Sequence, residues 1–160
     1  MELVLAYDRL KDVLTLLKEY TDMILEQGGD EVRECLKAQH LDDELADVQK
    51  KYALPNGRLY LALADDRPAG CVGLTRNDDD YCEIKRLYIR PEYRGQHLSH
   101  ILINRIIEDA GSLGYKHMRL DTFPFMDTAI RIYRKYGFYN IERYNDNPAK
   151  TAVFMQLDLQ

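Results

Sequence analysis

The chain has 160 residues, a formal net charge of −5 and a hydrophobic content of 46%. This length fits a single domain over residues 1–160, whose core needs no disulfide or metal staple. Three scattered cysteines without a CxxC pair argue against a disulfide framework and a zinc site, and they favour the cytoplasm. We expect no secretory signal, because the first residues do not combine a basic and an apolar region. No apolar run has membrane-spanning length and no Lys/Arg run is long, so we expect neither a membrane nor a nucleic acid as partner.

The first part of the chain predicts one edge strand and two helices. Apolar residues dominate from Glu2 to Tyr7, which is typical of a short strand. From Leu10 to Ile24 they recur at spacings of three and four, the period of one helix face. The pair Gly28-Gly29 is expected to end this helix, and a less regular helix is expected from Asp30, with a break near His40.

The rest of the chain alternates strand-like runs, turns and two further helical patterns. Strands are predicted over 58–64, 69–75 and 81–90, and then over 115–122, 138–143 and 152–159. Helices are predicted from Leu98 to Ala110 and from Asp127 to Tyr136, where Gly137 is a favourable residue after the helix end. This order favours a mixed α/β fold of the α+β type with a mostly antiparallel sheet.

The segment from Glu83 to Ser99 combines a strand, a turn and a helix start near His97. A helix start offers free backbone N–H groups and the positive end of the helix dipole, and both favour phosphate. Gly95 lets the backbone turn without a Cβ clash, and Arg94 adds a cation beside the turn. These residues predict a phosphate site, with an ordinary strand–turn–helix connection as the alternative interpretation.

Two segments resemble the GCN5-related N-acetyltransferase (GNAT) family. The run Arg94-Gly95-Gln96-His97-Leu98-Ser99 is similar to the family's diphosphate loop, Q/R-x-x-G-x-G/A, with His97 and Ser99 at the two small-residue positions. The run from Ala129 to Phe138 is similar to the family's A-x-x-x-Y-x-x-x-G-F helix and following strand. Met126 stands where the family frequently has Asn.

The resemblance implies a GNAT-like sheet that is mixed and mostly antiparallel, has helices on both faces and is splayed at the central strand. It also implies transfer of an acetyl group from acetyl-CoA to a primary amine by direct attack of the amine. The backbone of Leu87, Tyr88 and Ile89 is then expected to hold the pantetheine arm, and residues 94–99 the diphosphate. The Leu87 N–H is expected to polarise the thioester carbonyl. No metal is implied.

The resemblance further implies two catalytic residues. Glu83 stands four residues before Leu87, a spacing that places two strand residues on one face, and it is the implied general base. An alkyl amine has a pKa of about 10.4, so a carboxylate that takes its proton assists attack. Tyr133 is the implied proton donor or anchor for the departing thiolate. The alternatives are an ion pair of Glu83 with Lys85 or Arg86, and core packing of Tyr133.

The acceptor is not identified by any pattern in the chain, and we expect a small-molecule or peptide amine. A homodimer is left open by the resemblance. Two other functions stay as alternatives. One is a non-catalytic acyl-CoA-binding sensor on the same fold, which the departures from the family pattern at residues 97 and 126 suggest. The other is a protein-interaction domain on the same scaffold with a filled groove.

Overall fold

A computed structural model describes residues 1–160. Its strands are β1 (Glu2–Leu5), β2 (Arg58–Ala64), β3 (Arg67–Arg76), β4 (Tyr81–Ile89), β5 (His117–Thr122), β6 (Tyr139–Asn140) and β7 (Val153–Asp158). Its helices are α1 (Leu10–Ala38), α2 (Leu41–Ala46), α3 (Val48–Lys51), α4 (Leu98–Ser112) and α5 (Asp127–Lys135). The strands form one sheet in the order β1-β2-β3-β4-β5-β7-β6, in which only the β4–β5 pair is parallel. The mixed, mostly antiparallel α/β fold predicted from the sequence is confirmed.

Helices cover both faces of the sheet, as the resemblance implies. On one face, apolar side chains of the strands such as Ile84 and Ile89 pack with Leu102 of α4 and with α5. On the other face, Leu61 and neighbouring side chains pack with Val13 and other residues of α1 and α3. Side chains alternate between the two faces along each strand, so those on either face pack against a helix. No helix combines the length and the apolarity that crossing a bilayer requires.

The first helix has the interruption that the Gly-Gly pair predicts. Gly29 has a φ of 59° and a ψ of −134°, a conformation outside the helical region, and helix resumes on its far side as far as Ala38. His40 then adopts a left-handed backbone conformation with a φ of 57° and starts α2. The second half of α1 places Ile24 and Val32 in a third apolar cluster with Phe123, which follows β5.

The predicted strand over 138–143 is shorter in the structure, where β6 holds only two residues. Ile141 still donates its N–H to the carbonyl of Phe154 in β7, at 2.9 Å, before the chain leaves the sheet. The next residues turn across the end of β5, and the side chains of Asn145 and Asn147 bond there to Asp121. Side-chain hydrogen bonds to β5 thus replace the ladder that the apolar pattern predicts.

Strands β4 and β5 diverge halfway along their length. Their parallel pairing covers Tyr81 to Glu83 on β4 and ends at the pair Glu83 and Arg119. Beyond that point β5 pairs only with β7, through to Thr122. The rest of β4 consequently has an open edge towards β5, which is the splay that the resemblance implies.

A β-bulge in β4 reverses the alternation of its side chains. Arg86 has a φ of 59°, and the register with β3 shifts at this position, between Cys71 and Gly73. Ile84 before the bulge and Leu87 after it both pack on the α4 side, although they are three residues apart. Glu83 lies on the other side, where it contacts Lys85. The prediction that Glu83 and Leu87 share a face is therefore wrong, because the bulge inserts one residue between them.

Candidate functional site

The open edge of β4 forms one wall of a groove of about 520 Å³. The other walls are the loop before α4, the start of α4, the start of α5 and part of α1. The groove brings together most of the residues that the sequence assigns to a cofactor: Leu87, Tyr88, Ile89, Arg94, Gly95, His97, Leu98 and Ser99. Gln96 belongs to the same loop but does not line the groove. A linear ligand can thus run from the α4 start along β4.

The backbone of β4 directs alternate polar groups into this groove. Arg90, just after the strand, donates its N–H to the carbonyl of Ala69 in β3, at 2.9 Å. Because backbone groups alternate along a strand, Leu87 and Ile89 direct theirs towards the opposite, open edge. The carbonyl of Ile89 indeed accepts a bond from Nε of Arg94 across the groove, at 3.1 Å. The Tyr88 side chain packs on the far side of the sheet, so only its backbone reaches the groove region.

The start of α4 presents unpaired donors at one end of the groove. The N–H of Ile101 is bonded to the carbonyl of His97 at 3.2 Å, which leaves the N–H groups of residues 98–100 without helical partners. No side chain caps this helix, and its first turn contains no acidic residue. These features suit an anion. His97 has a φ of 62°, the left-handed conformation that glycine adopts most readily, and its side chain is exposed.

A smaller cavity of about 50 Å³ adjoins the other end of the groove. Leu87, Met126 and Ala129 line both spaces. Tyr133 of α5 and Tyr20 of α1 line the small cavity alone. The cavity therefore lies where β4 and β5 have parted, next to the backbone of Leu87.

The position of Tyr133 is compatible with both roles that the sequence left open, core packing and anchoring of the departing thiolate. Its side chain is 7% exposed and belongs to the apolar cluster beneath α4 and α5. It also forms part of the wall of the small cavity. Burial, with a smaller contribution from Tyr20, raises the pKa of its phenol above the ordinary value. The hydroxyl is therefore protonated at neutral pH and available as a hydrogen-bond donor.

Glu83 lies apart from this cavity. Its Oε1 accepts a hydrogen bond from Nδ2 of Asn77 at 3.0 Å, and its Oε2 lies 3.3 Å from Nζ of Lys85. The residue is 8% exposed and does not line the cavity beside Tyr133. The structure thus shows the ion pair that the sequence analysis gave as the alternative, and it does not bring Glu83 and Tyr133 together.

A buried charge network holds the β4 bulge, and sequence reasoning missed it. Nε and Nη2 of Arg86 donate to the two carboxylate oxygens of Glu44, each at 3.0 Å, and Nη2 also donates to Gln39. Lys51 Nζ lies 2.7 Å from Oε1 of the same glutamate. Burial alone raises the pKa of Glu44, but Arg86 and Lys51 outweigh it and lower the pKa to about 2. Arg86 and Glu44 are 42 residues apart, so no local pattern signals their contact.

Asp121, near the end of β5, is a second residue that sequence reasoning missed. The residue lines the small cavity. Its Oδ2 accepts hydrogen bonds from Nδ2 of Asn145 at 3.0 Å and from Nδ2 of Asn147 at 3.1 Å. The signal available in the sequence is an acidic residue at a strand end, together with the Asn-rich segment Asn145-Asp146-Asn147 further along the chain.

Comparisons with known proteins agree with this geometry. The acetyltransferase (GNAT) family pattern matches residues 25–138. The chain is 38% identical over 152 residues to a protein named as an uncharacterized N-acetyltransferase from Schizosaccharomyces pombe, covering 94% of this chain and 88% of that protein. It is 27% identical over 222 residues to one so named from Dictyostelium discoideum, covering 100% of this chain and 99% of that protein.

Two solved structures share the fold over nearly the whole chain. A crystal structure of an acetyltransferase from Streptococcus agalactiae has a TM-score of 0.81 at 20% identity and covers 99% of this chain and 98% of its own. The PaiA N-acetyltransferase from Thermoplasma acidophilum, solved in complex with coenzyme A, has a TM-score of 0.72 at 18% identity and covers 99% of both chains. At these identities the likeness concerns the fold alone.

Proposed function

This chain belongs to the acetyltransferase (GNAT) family, and we propose that it moves an acetyl group from acetyl-CoA to a primary amine by direct attack. The acceptor is a small-molecule or peptide amine. The observation that carries the proposal is the open edge of β4, which leads from the unpaired N–H groups of α4 to the small cavity beside Tyr133. This path has a phosphate-binding end and a reacting end.

The donor lies along β4 in this proposal. The diphosphate meets the N–H groups at the α4 start and the guanidinium of Arg94. The pantetheine arm pairs with the backbone of Leu87 and Ile89 as an added strand does. In the structure, Nε of Arg94 donates to the Ile89 carbonyl. When pantetheine donates to this carbonyl instead, the guanidinium is free to bind phosphate.

The reaction proceeds where the groove and the cavity meet. The amine nitrogen attacks the thioester carbonyl carbon, a C–N bond forms, and the C–S bond then breaks. The Leu87 N–H stabilises the negative oxygen of the intermediate. A CoA thiol resembles a cysteine thiol, with a pKa of about 8.5, which lies below that of a buried phenol. Tyr133 therefore anchors the departing thiolate by a hydrogen bond rather than by complete proton transfer.

The test is free-thiol release from acetyl-CoA with a panel of primary amines, read against the uncatalysed rate. Release above background with at least one amine is the expected result. A protein that shows a CoA-dependent melting shift but no release with any amine would instead be the non-catalytic acyl-CoA sensor. A protein that shows no melting shift with CoA would be the interaction domain.

We also propose that residues 1–160 act as one domain, since the apolar clusters on both faces share one sheet. We further propose that the protein acts in the cytoplasm, a reducing compartment that suits unpaired cysteines. Cys35, Cys71 and Cys82 are free and buried. Burial raises the pKa of Cys35 to about 11 and those of Cys71 and Cys82 to about 12, which keeps the thiols unreactive. The homodimer stays a prediction. Light scattering of the purified protein measures its molar mass and so its oligomeric state.

A further inference from the structure

We propose that Asp121, and not Glu83, is the carboxylate that receives the acceptor's ammonium group and takes its proton. This inference rests on the proposed acetyl transfer. It assigns a catalytic residue to the cavity.

Three carboxylates lie around the parted strands, and they differ in the side chains that are bonded to them. Glu44 is bonded to Arg86 and Lys51. Glu83 is paired with Lys85 and does not line the cavity. Asp121 lines the cavity, and its two partners are uncharged amides. Asp121 is therefore the one of the three that has no cationic partner and can receive a cation that enters the cavity.

The fold directs Asp121 into the opened space. It stands two residues beyond Arg119, the last residue of β5 that pairs with β4. Its neighbour Leu120 packs on the α4 side, so alternation places Asp121 on the α1 side, where Tyr20 and Phe123 also line the cavity. Oδ2 is occupied by Asn145 and Asn147, which leaves Oδ1 for a ligand. The two amides thus act as positioning residues for the carboxylate.

The walls of the cavity can accept the end of an alkyl ammonium. Tyr20, Ile24 and Phe123 line it beside Asp121, and their aromatic and aliphatic side chains suit the methylene next to the nitrogen. Lys85 and Arg86 also line it, and they are paired with Glu83 and Glu44.

The chemical step balances as follows. Oδ1 of Asp121 takes one proton from the ammonium, which gives the neutral amine whose lone pair attacks the thioester carbon. The C–N bond forms and the C–S bond breaks. The proton that remains in excess on nitrogen passes to the CoA sulfur, and Asp121 returns its proton to solvent. The products are the acetamide, the CoA thiol and one proton.

The first test is binding to the CoA-loaded protein, with propylammonium chloride as the probe and neutral propanol as its matched control. Amide signals of Thr122 and of the Asn147 side chain are followed by ¹H–¹⁵N NMR. We expect propylammonium, and not propanol, to shift them in the wild type, and Asp121→Asn to abolish the shifts. Asn retains an oxygen that can accept both amide bonds, and an unchanged melting temperature checks this. No shift in the wild type, or the same shift in Asp121→Asn, overturns the proposal.

The second test compares two acceptors at pH 7, propylamine and hydroxylamine, after subtraction of uncatalysed thiol release. Propylamine is protonated and needs a base, whereas hydroxylamine is largely neutral and does not. We expect Asp121→Asn to lower kcat/KM about 100-fold or more with propylamine and less than about 10-fold with hydroxylamine. Asp146→Asn, which removes an exposed carboxylate from the same turn, is the control and should leave both rates unchanged.

The outcomes separate the two proposals. Equal losses with both acceptors in Asp121→Asn indicate a structural role and overturn the assignment. A selective loss in Glu83→Gln, with Asp121→Asn unaffected, overturns it in favour of Glu83. A wild type that releases no thiol with either amine counts against acetyl transfer to such amines, while the NMR titration still decides whether Asp121 binds an ammonium group.

Discussion

At the residue scale, Tyr133 shows how one side chain can serve packing and chemistry together. Its ring lies 5.4 Å from that of Phe138 within the cluster beneath α4 and α5. Its other side forms cavity wall near Leu87. The ring supplies stability and the hydroxyl supplies a donor, so the two contributions can be separated by removing the hydroxyl alone.

Tyr133→Phe should therefore lower turnover without weakening the cofactor complex. A hydrogen bond to a charged group contributes about 1.5–3 kcal/mol, which corresponds to a fall in kcat of roughly 10- to 100-fold. The dissociation constant of CoA should change little. Steady-state thiol release measures the first quantity and calorimetric titration the second. Equal losses in kcat and in CoA affinity would mean that the hydroxyl holds the cofactor instead of the leaving sulfur.

At the element scale, the bulge in β4 depends on a contact with α2. Arg86 has a positive φ and a side chain that is 6% exposed, and Glu44 of α2 supplies its ionic partner. Gln39, which precedes α2, adds a hydrogen bond to the same guanidinium. Because the bulge decides which side chains of β4 face the cavity, α2 contributes to the site without touching the reacting atoms.

Glu44→Gln should destabilise the protein strongly, since it leaves the buried charge of Arg86 without its ionic partner. We expect a loss of about 3–5 kcal/mol in the free energy of unfolding, measured by urea denaturation. Glu34→Gln is the control, because the Glu34–Lys37 pair is exposed and its loss should cost less than about 1 kcal/mol. Similar losses in both variants would contradict a structural role for the buried pair.

The same pair predicts how stability depends on acid. The folded pKa of Glu44 is about 2, below the unfolded value of about 4.3. Its contribution is therefore present above about pH 4.3 and is lost as the pH falls towards 2, by on the order of 3 kcal/mol. Unfolding free energies measured across this window should fall more steeply for the wild type than for Glu44→Gln. Parallel curves would show that other carboxylates govern the acid response.

The open edge of β4 makes a further prediction at this scale. Leu87 and Ile89 direct their N–H groups into the groove, whereas Arg90 is bonded to Ala69. Addition of CoA should slow hydrogen exchange at residues 87 and 89 and leave residue 90 nearly unchanged, as measured by NMR. Protection spread evenly over all three amides would indicate general stiffening rather than pairing of pantetheine with the strand edge.

At the scale of the whole molecule, cofactor binding and stability are linked because a groove built from β4, α4 and α5 exists only in the folded chain. A ligand at 100 times its dissociation constant stabilises by about 2.7 kcal/mol. For a chain of this size each kcal/mol shifts the melting temperature by roughly 2–4 °C. We expect CoA to raise the melting temperature of the wild type by several degrees.

Arg94→Ala should shrink that shift at the same CoA concentration, because it removes a cation from the diphosphate end of the groove. Thermal unfolding followed with and without CoA measures both proteins. Tyr133→Phe provides the matched comparison, since its CoA-induced shift should equal that of the wild type. An undiminished shift in Arg94→Ala would remove this residue from the phosphate site.

Local signals in the sequence predicted the elements and the turn that we propose as the diphosphate site. Periodic apolar residues located the helices and strands, and the interruptions at Gly29 and His40 are where their residues predicted them. The helix start after Gly95 was also readable from adjacent residues, because the turn and the free N–H groups belong to one short segment. Such features depend on neighbours in the chain, so a single sequence contains them.

The tertiary structure decided which carboxylate faces the cavity. The bulge at Arg86 depends on Glu44, and the placement of Asp121 depends on Asn145 and Asn147. These contacts join residues that are far apart in the chain, and a single inserted bulge residue moved Glu83 to the face opposite Leu87. Side-chain alternation along a strand reverses with every such insertion, and only packing against other elements determines where one occurs.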